Sequence, residues 1–153
     1  MVAERKRGMR MQDRYLFKAK RIKDAQWIEG YLIYSFTGVP FIITEYDHIL
    51  ALVARDEIDP ETICQCTGLK DKSGKLIWEN DIVKILMTGE TAPIRYGSYK
   101  SCFNSEKTEH VGFYVDWSST YSKNYRKDLG YWIHVFGVEI IGNVFDDREP
   151  LEE

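Results

Sequence analysis

Cysteine, proline and histidine are scarce in this 153-residue sequence, which holds three Cys, four Pro and three His. An odd set of three cysteines excludes a complete disulfide framework, and without a secretion signal the thiols read as reduced. The histidines, His48, His110 and His134, stand far apart. They show no H-x-x-x-H or H-E-x-x-H spacing, so the common zinc-hydrolase pattern is missing. The sequence also lacks a G-x-S-x-G elbow and a phosphate-binding loop. It has no run of about 18 apolar residues, so no membrane-spanning helix is expected. The first residues are charged and no apolar stretch follows them, so no signal peptide is expected and the expected location is the cytoplasm. Excess positive charge is lacking too: 24 Asp and Glu against 21 Lys and Arg leave a net charge of −3. That balance argues against bulk, salt-driven binding to nucleic acid, although a local basic stripe is compatible with it.

Aromatic residues are abundant, at 14% of the chain, with ten Tyr, seven Phe and four Trp. Aromatic and β-branched enrichment points to sheet more than to helix. A chain of this length buries roughly two-thirds of its unfolded surface, so it needs neither metal nor disulfide to fold. About one domain, or one domain with a small subdomain, is expected.

Residues 1–12 are polar and basic without periodicity and read as a disordered or tag-like arm. From Arg14 the pattern alternates, with Tyr15, Phe17 and Ala19 on one side. A turn at Lys23–Ala25 leads to a second strand, Gln26–Tyr34, with Trp27, Glu29, Tyr31 and Ile33 on one face, so the two predict a hairpin. Phe41–Thr44 is a third apolar run. Ile49–Ala54 fits a strand or one helical turn equally. Arg55–Pro60 reads as an acidic turn and Glu61–Thr67 as a strand. Cys64 and Cys66 alternate with Gln65, so both thiols face one way. A lone C-x-C is a poor zinc site, and two small buried side chains fit better.

Asp71–Gly74 is a turn in which Asp bonds its own backbone. Lys75–Trp78 is a short strand, and Glu79-Asn80-Asp81 a second tight turn. The carboxylates Glu79 and Asp81 serve that turn rather than acid catalysis. Ile82–Met87 is apolar on both faces and predicts a central strand. Thr88–Pro93 reads as a loop, and Tyr96–Glu109 as a long loop or flap. His110–Trp117 predicts a strand with Val111, Phe113 and Val115 on one face. Ser118–Asp128 reads as a loop, Leu129–Phe136 as an aromatic strand, and Val138–Phe145 as a last strand bent at Gly142-Asn143.

Three blocks of this sequence resemble the YopX family of phage and prophage proteins. The first is Arg14-Tyr15-Leu16-Phe17-Lys18-Ala19-Lys20-Arg21 with Gln26-Trp27-Ile28-Glu29-Gly30-Tyr31. The second is Pro60-Glu61-Thr62-Ile63, Thr67–Lys75 and Trp78-Glu79-Asn80-Asp81-Ile82-Val83. The third is Glu139-Ile140-Ile141-Gly142-Asn143-Val144-Phe145. The resemblance implies a phage- or prophage-encoded protein acting in a bacterial cytoplasm. It also implies a mostly β fold with an SH3-like barrel element, and it carries over no catalytic or binding residues. The family usually has an aromatic where Cys66 stands and Gly where Cys64 and Asn80 stand, which bears on core packing. The expected organisation is an arm (residues 1–12), an N-terminal β-hairpin subdomain (13–60) and an SH3-like β-barrel part (61–153), with few or no long helices.

No reacting group has a visible partner, so an enzyme is not expected, and neither is a cofactor or a metal. A binding module fits better. Small β-barrels offer aromatic residues on an open face. The candidate surface interleaves Tyr96, Tyr99, Tyr121, Tyr125, Tyr131 and Trp132 with Arg95, Lys100, Lys123, Arg126 and Lys127. A protein partner or self-association is expected before nucleic acid, because the net charge is negative. Single-strand binding through the same surface is the alternative, and no membrane contact is expected.

Overall fold

Strand-forming alternation dominates the computed structural model, which describes residues 11–47, 52–100, 109–117 and 126–147. The chain divides into two units, Met1–Gly68 and Leu69–Glu153. Residues 1–10, and with them most of the expected arm, lie outside the described residues.

The first unit begins with a 3-10 turn, Met11–Tyr15, where a strand was expected to start. Leu16 N–H donates to the Asp13 carbonyl at 3.0 Å and closes that turn. Strands β1 (Phe17–Lys20), β2 (Trp27–Tyr34), β3 (Pro40–Asp47) and β4 (Leu52–Glu57) follow. A 3-10 turn, Pro60–Thr62, leads into β5 (Cys64–Lys70). The order is β4-β3-β2-β1-β5, and every pair is antiparallel. The expected hairpin is β1–β2, its turn held by Asp24, which accepts from Gln26 N–H at 3.1 Å and pairs with Arg21 at 2.6 Å.

Arg55–Glu57, expected in an acidic turn, instead form the end of β4 opposite Ile43, Ile42 and Phe41. Pairing with β3 overrides composition here, and an edge strand tolerates charge. Ala19, Ile42 and Ile58 are fully buried, with Phe17, Ile28, Leu32 and Ile63 packed around them. Gly30 sits inside this layer. A Cβ there would lie 2.1 Å from the Ile43 carbonyl oxygen, so only glycine allows β3 this close. Cys64 and Cys66 are both buried, on one face of β5 as their spacing predicts.

The second unit contains β6 (Leu76–Trp78), β7 (Asp81–Ile85), β8 (Thr91–Lys100) and β9 (Glu109–Val115). Helix α1 (Leu129–Val135) and β10 (Val138–Asn143) complete it. Its main sheet has the antiparallel order β10-β7-β8-β9, so β7 is internal and Asp81, Ile82, Val83 and Ile85 are buried. The shift in pairing between Ile140 and Gly142 is the expected bend of the last strand. Among the described residues these strands form open sheets and do not close into a barrel.

Three expectations for this unit are corrected. Leu129–Phe136 is not a strand: α1 covers Leu129–Val135. Leu129, Trp132, Ile133 and Phe136 fall at helical spacing on one face, and all pack on the core. Gly137, at φ +73°, ends the helix in the left-handed conformation that favours glycine. Tyr96–Glu109 is not one long loop. Tyr96–Lys100 belong to β8 and pair with Phe113 back to Glu109, while residues 101–108 lie outside the described residues. Thr91–Pro93, expected in a loop, begin β8 opposite Lys84, Val83 and Ile82.

Candidate functional site

The β8–β9 hairpin carries most of the residues singled out in the sequence, and its register sorts them onto two faces. Arg95, Gly97 and Tyr99 of β8 stand opposite Tyr114, Gly112 and His110 of β9. On the other face Ile94, Tyr96, Ser98 and Lys100 stand opposite Val115, Phe113, Val111 and Glu109. The strand period of two puts Tyr96 and Lys100 on one side, and Arg95 and Tyr99 on the other.

The first face is a linked aromatic and ionic cluster. The Gly97–Gly112 pair supplies no side chains, so the flanking rings close over it. Tyr99 stacks on His110 with centroids 5.4 Å apart and leans on Tyr114 at 5.3 Å. The Tyr99 hydroxyl donates to Asp128 at 3.1 Å, and Arg126 Nε donates to the other oxygen of that carboxylate at 2.7 Å. Lys127 Nζ lies 5.7 Å from the Tyr114 ring centroid, and the Arg126 guanidinium 4.6 Å from that of Tyr131. Arg95 pairs with Asp116 at 3.9 Å and donates to Asn80 Oδ1. Asn80 holds φ +67°, as the tight turn requires.

Residues Arg126–Asp128 reach this face because they run alongside β9. Val115 N–H donates to the Lys127 carbonyl at 2.9 Å, and Tyr114 bridges to Asp128. The Arg126 carbonyl accepts from the indoles of Trp117 (3.1 Å) and Trp132 (2.6 Å), which ties the segment to the core.

These contacts set the local acid–base behaviour. Burial, then the charge and hydrogen bond of Asp128, raise the Tyr99 phenol above its ordinary value. Burial and Asp116 raise Tyr114, against the pull of Arg95. Burial alone would push Asp128 upward, but the bonds from Arg126 and Tyr99 outweigh it and hold the carboxyl below its ordinary value.

The second face is apolar at its buried end and polar toward Lys100 and Glu109. It continues outward from the fully buried Ile94 and Val115 to Phe113, which meets Tyr96 edge-on with centroids 5.0 Å apart. Tyr96 is 52% and Val111 71% exposed. Ser98 donates to Glu109 beside them.

Of the sequence-predicted surface, Arg95, Tyr99, Arg126 and Lys127 meet on the first face, and Tyr96 and Lys100 lie on the second. Trp132 is not on the surface: it is 5% exposed and packs between Trp117 and Phe136. Tyr131 packs on the core beside it. Tyr121, Lys123 and Tyr125 lie outside the described residues. His110, Tyr114, Asp116 and Asp128 were missed. The paired strand glycines were the available signal, because Gly97 and Gly112 are what let rings fold over the hairpin. Among the described residues no three His, Cys, Asp or Glu gather to hold a metal ion, and no helix is long and apolar enough to cross a membrane.

A family model described as YopX protein matches residues 3–152. A search of curated proteins returned no match.

Proposed function

Since the chain belongs to the YopX family, a family that the sequence resemblance ties to phages and prophages, we propose that it is a phage-type accessory protein, a non-enzymatic binding module of the bacterial cytoplasm. On this reading the second unit is an SH3-like module, open rather than closed, and its working surface is the β8–β9 hairpin. The partner is a protein with an apolar docking surface.

The observation that carries this reading is the pair Tyr96 and Val111, exposed on diagonal positions of one hairpin face beside Phe113. Exposed apolar side chains that adjoin one another on ordered strands mark interaction sites more often than scattered ones do. The opposite face supports the reading by bracing the hairpin: the Tyr99–Asp128–Arg126 bonds and the stacked rings fix it before a partner arrives, which lowers the ordering cost of docking. The two arginines of that braced face have carboxylates of their own, Asp116 for Arg95 and Asp128 for Arg126, so they are poorly placed to neutralise phosphates.

A paired affinity purification tests this. The wild-type chain is expected to retain one stoichiometric protein partner from host cells, and Val111→Arg to lose it while keeping the wild-type circular dichroism spectrum. Equal recovery by both, or a partner released only by changes outside the hairpin, would remove the assignment.

A further inference from the structure

The first unit's sheet has a second face with its own chemistry, independent of the hairpin in the second unit. An antiparallel sheet with one buried face usually turns polar side chains outward on the other. Here the face opposite the Ala19, Ile42 and Ile58 core carries three rings and three cations. Lys18 Nζ and Lys20 Nζ lie 5.3 and 5.4 Å from the Trp27 ring centroid, and the Arg55 guanidinium lies 5.4 Å from that of Phe41. Tyr31 shares the face and is 55% exposed.

Trp27 and Tyr31 are four residues apart on β2, roughly 13 Å along the strand. Tyr31 pairs with Ile43 and Ile33 with Phe41, so Phe41 is the diagonal neighbour of Tyr31, about 7–8 Å away. Rings therefore follow one another along β2 and β3 with cations at both ends, Lys18 and Lys20 beside Trp27, and Arg55 beside Phe41. Flat rings for bases and cations for phosphates are the two requirements of a single-strand platform; Tyr31 is the exposed ring, and the half-buried Trp27 and Phe41 have cations over them. A duplex keeps its bases stacked on one another and cannot use them. Glu29 and Glu57 share the face, opposite Lys18 and Phe41. The phosphate contribution is therefore modest, in keeping with a chain of net charge −3.

We propose that the outer face of the first unit's sheet binds single-stranded nucleic acid, its bases stacking on Tyr31 and the neighbouring rings and its phosphates meeting Lys18, Lys20 and Arg55. At most three neutralised phosphates set a salt slope no steeper than about −2 in log affinity against log salt, far shallower than that of a strongly basic binder.

Fluorescence anisotropy of a short labelled oligothymidylate, titrated with the full chain at low salt, is the test. Saturable binding with that slope is expected, and the matching duplex is expected to bind more weakly. Tyr31→Ala is expected to weaken binding by about fivefold to a hundredfold. Arg55→Gln is expected to flatten the slope by about 0.7. Tyr96→Ala, in the second unit, should leave binding unchanged. Tyr31 and Arg55 are exposed, so both variants should keep the wild-type circular dichroism spectrum. No anisotropy change at low salt, equal binding of the duplex, or wild-type affinity in both variants would overturn the proposal. So would a dimer, seen by light scattering, that Tyr31→Ala dissolves, because a second copy would then occupy the face.

Discussion

Asp71 shows how much one side chain holds in the second unit. Its Oδ1 accepts from Ser73 N–H and Lys75 N–H, both at 2.9 Å, and its Oδ2 accepts from Ile140 N–H at 3.2 Å. The turn role was legible in Asp-Lys-Ser-Gly. The bond to Ile140 was not, since it joins residues 69 positions apart and depends on how the sheet assembles. Asp71→Ala leaves backbone donors unpaired at a site only 6% exposed. A loss of about 3 kcal/mol is expected in urea unfolding. The Tyr99–Asp128 pair makes a pH prediction. The folded Asp128 value lies below the unfolded one, so its contribution is present above the ordinary carboxylate value, about 4, and is lost as pH falls through the lowered folded value. Tyr99 is raised, so its contribution is full below about pH 10 and is lost as pH rises through the folded value. Both groups are half-buried at the surface, where solvent screening should hold each effect to about 1 kcal/mol. Urea midpoints followed across pH should show the acid-side loss in the wild type and less of it in Asp128→Asn.

Elements were legible where alternation was strict and obscure where aromatics clustered. The β1–β2 hairpin, the β6 and β7 turns and the bend in β10 follow from turn chemistry and period-two patterns. The α1 segment misled because Tyr131, Trp132 and Phe136 favour strands by type, while their spacing, with Leu129 and Ile133, favours one helix face. The helix depends on its stop. Gly137 lies at φ +73°, and a Cβ there would sit 3.3 Å from Leu86 Cδ1. Gly137→Ala is expected to cost about 1–2 kcal/mol, read as a lowered urea midpoint. The two faces of the β8–β9 hairpin were illegible for a related reason. Composition shows the aromatic and basic residues, but only register decides which of them share a side.

At the scale of the whole chain, the two units differ in the core each has built. Among the described residues, ten buried side chains form the core cluster of the second unit, against three in the first. Amide exchange should therefore be slowest in β7, the internal strand of the second unit, and faster in β2 and β3. The mostly β class and the family were legible from sequence. The open sheets were not, because closure depends on pairings among distant strands that no local pattern encodes. Site-specific photocrosslinking in host cells tests the proposed function most directly. A photoreactive residue placed at Val111 is expected to give one discrete protein adduct, and the same residue at Lys84, exposed on β7, to give none. Identical adducts at both positions, or none from Val111, would contradict the claim that the exposed hairpin face is where the protein binds.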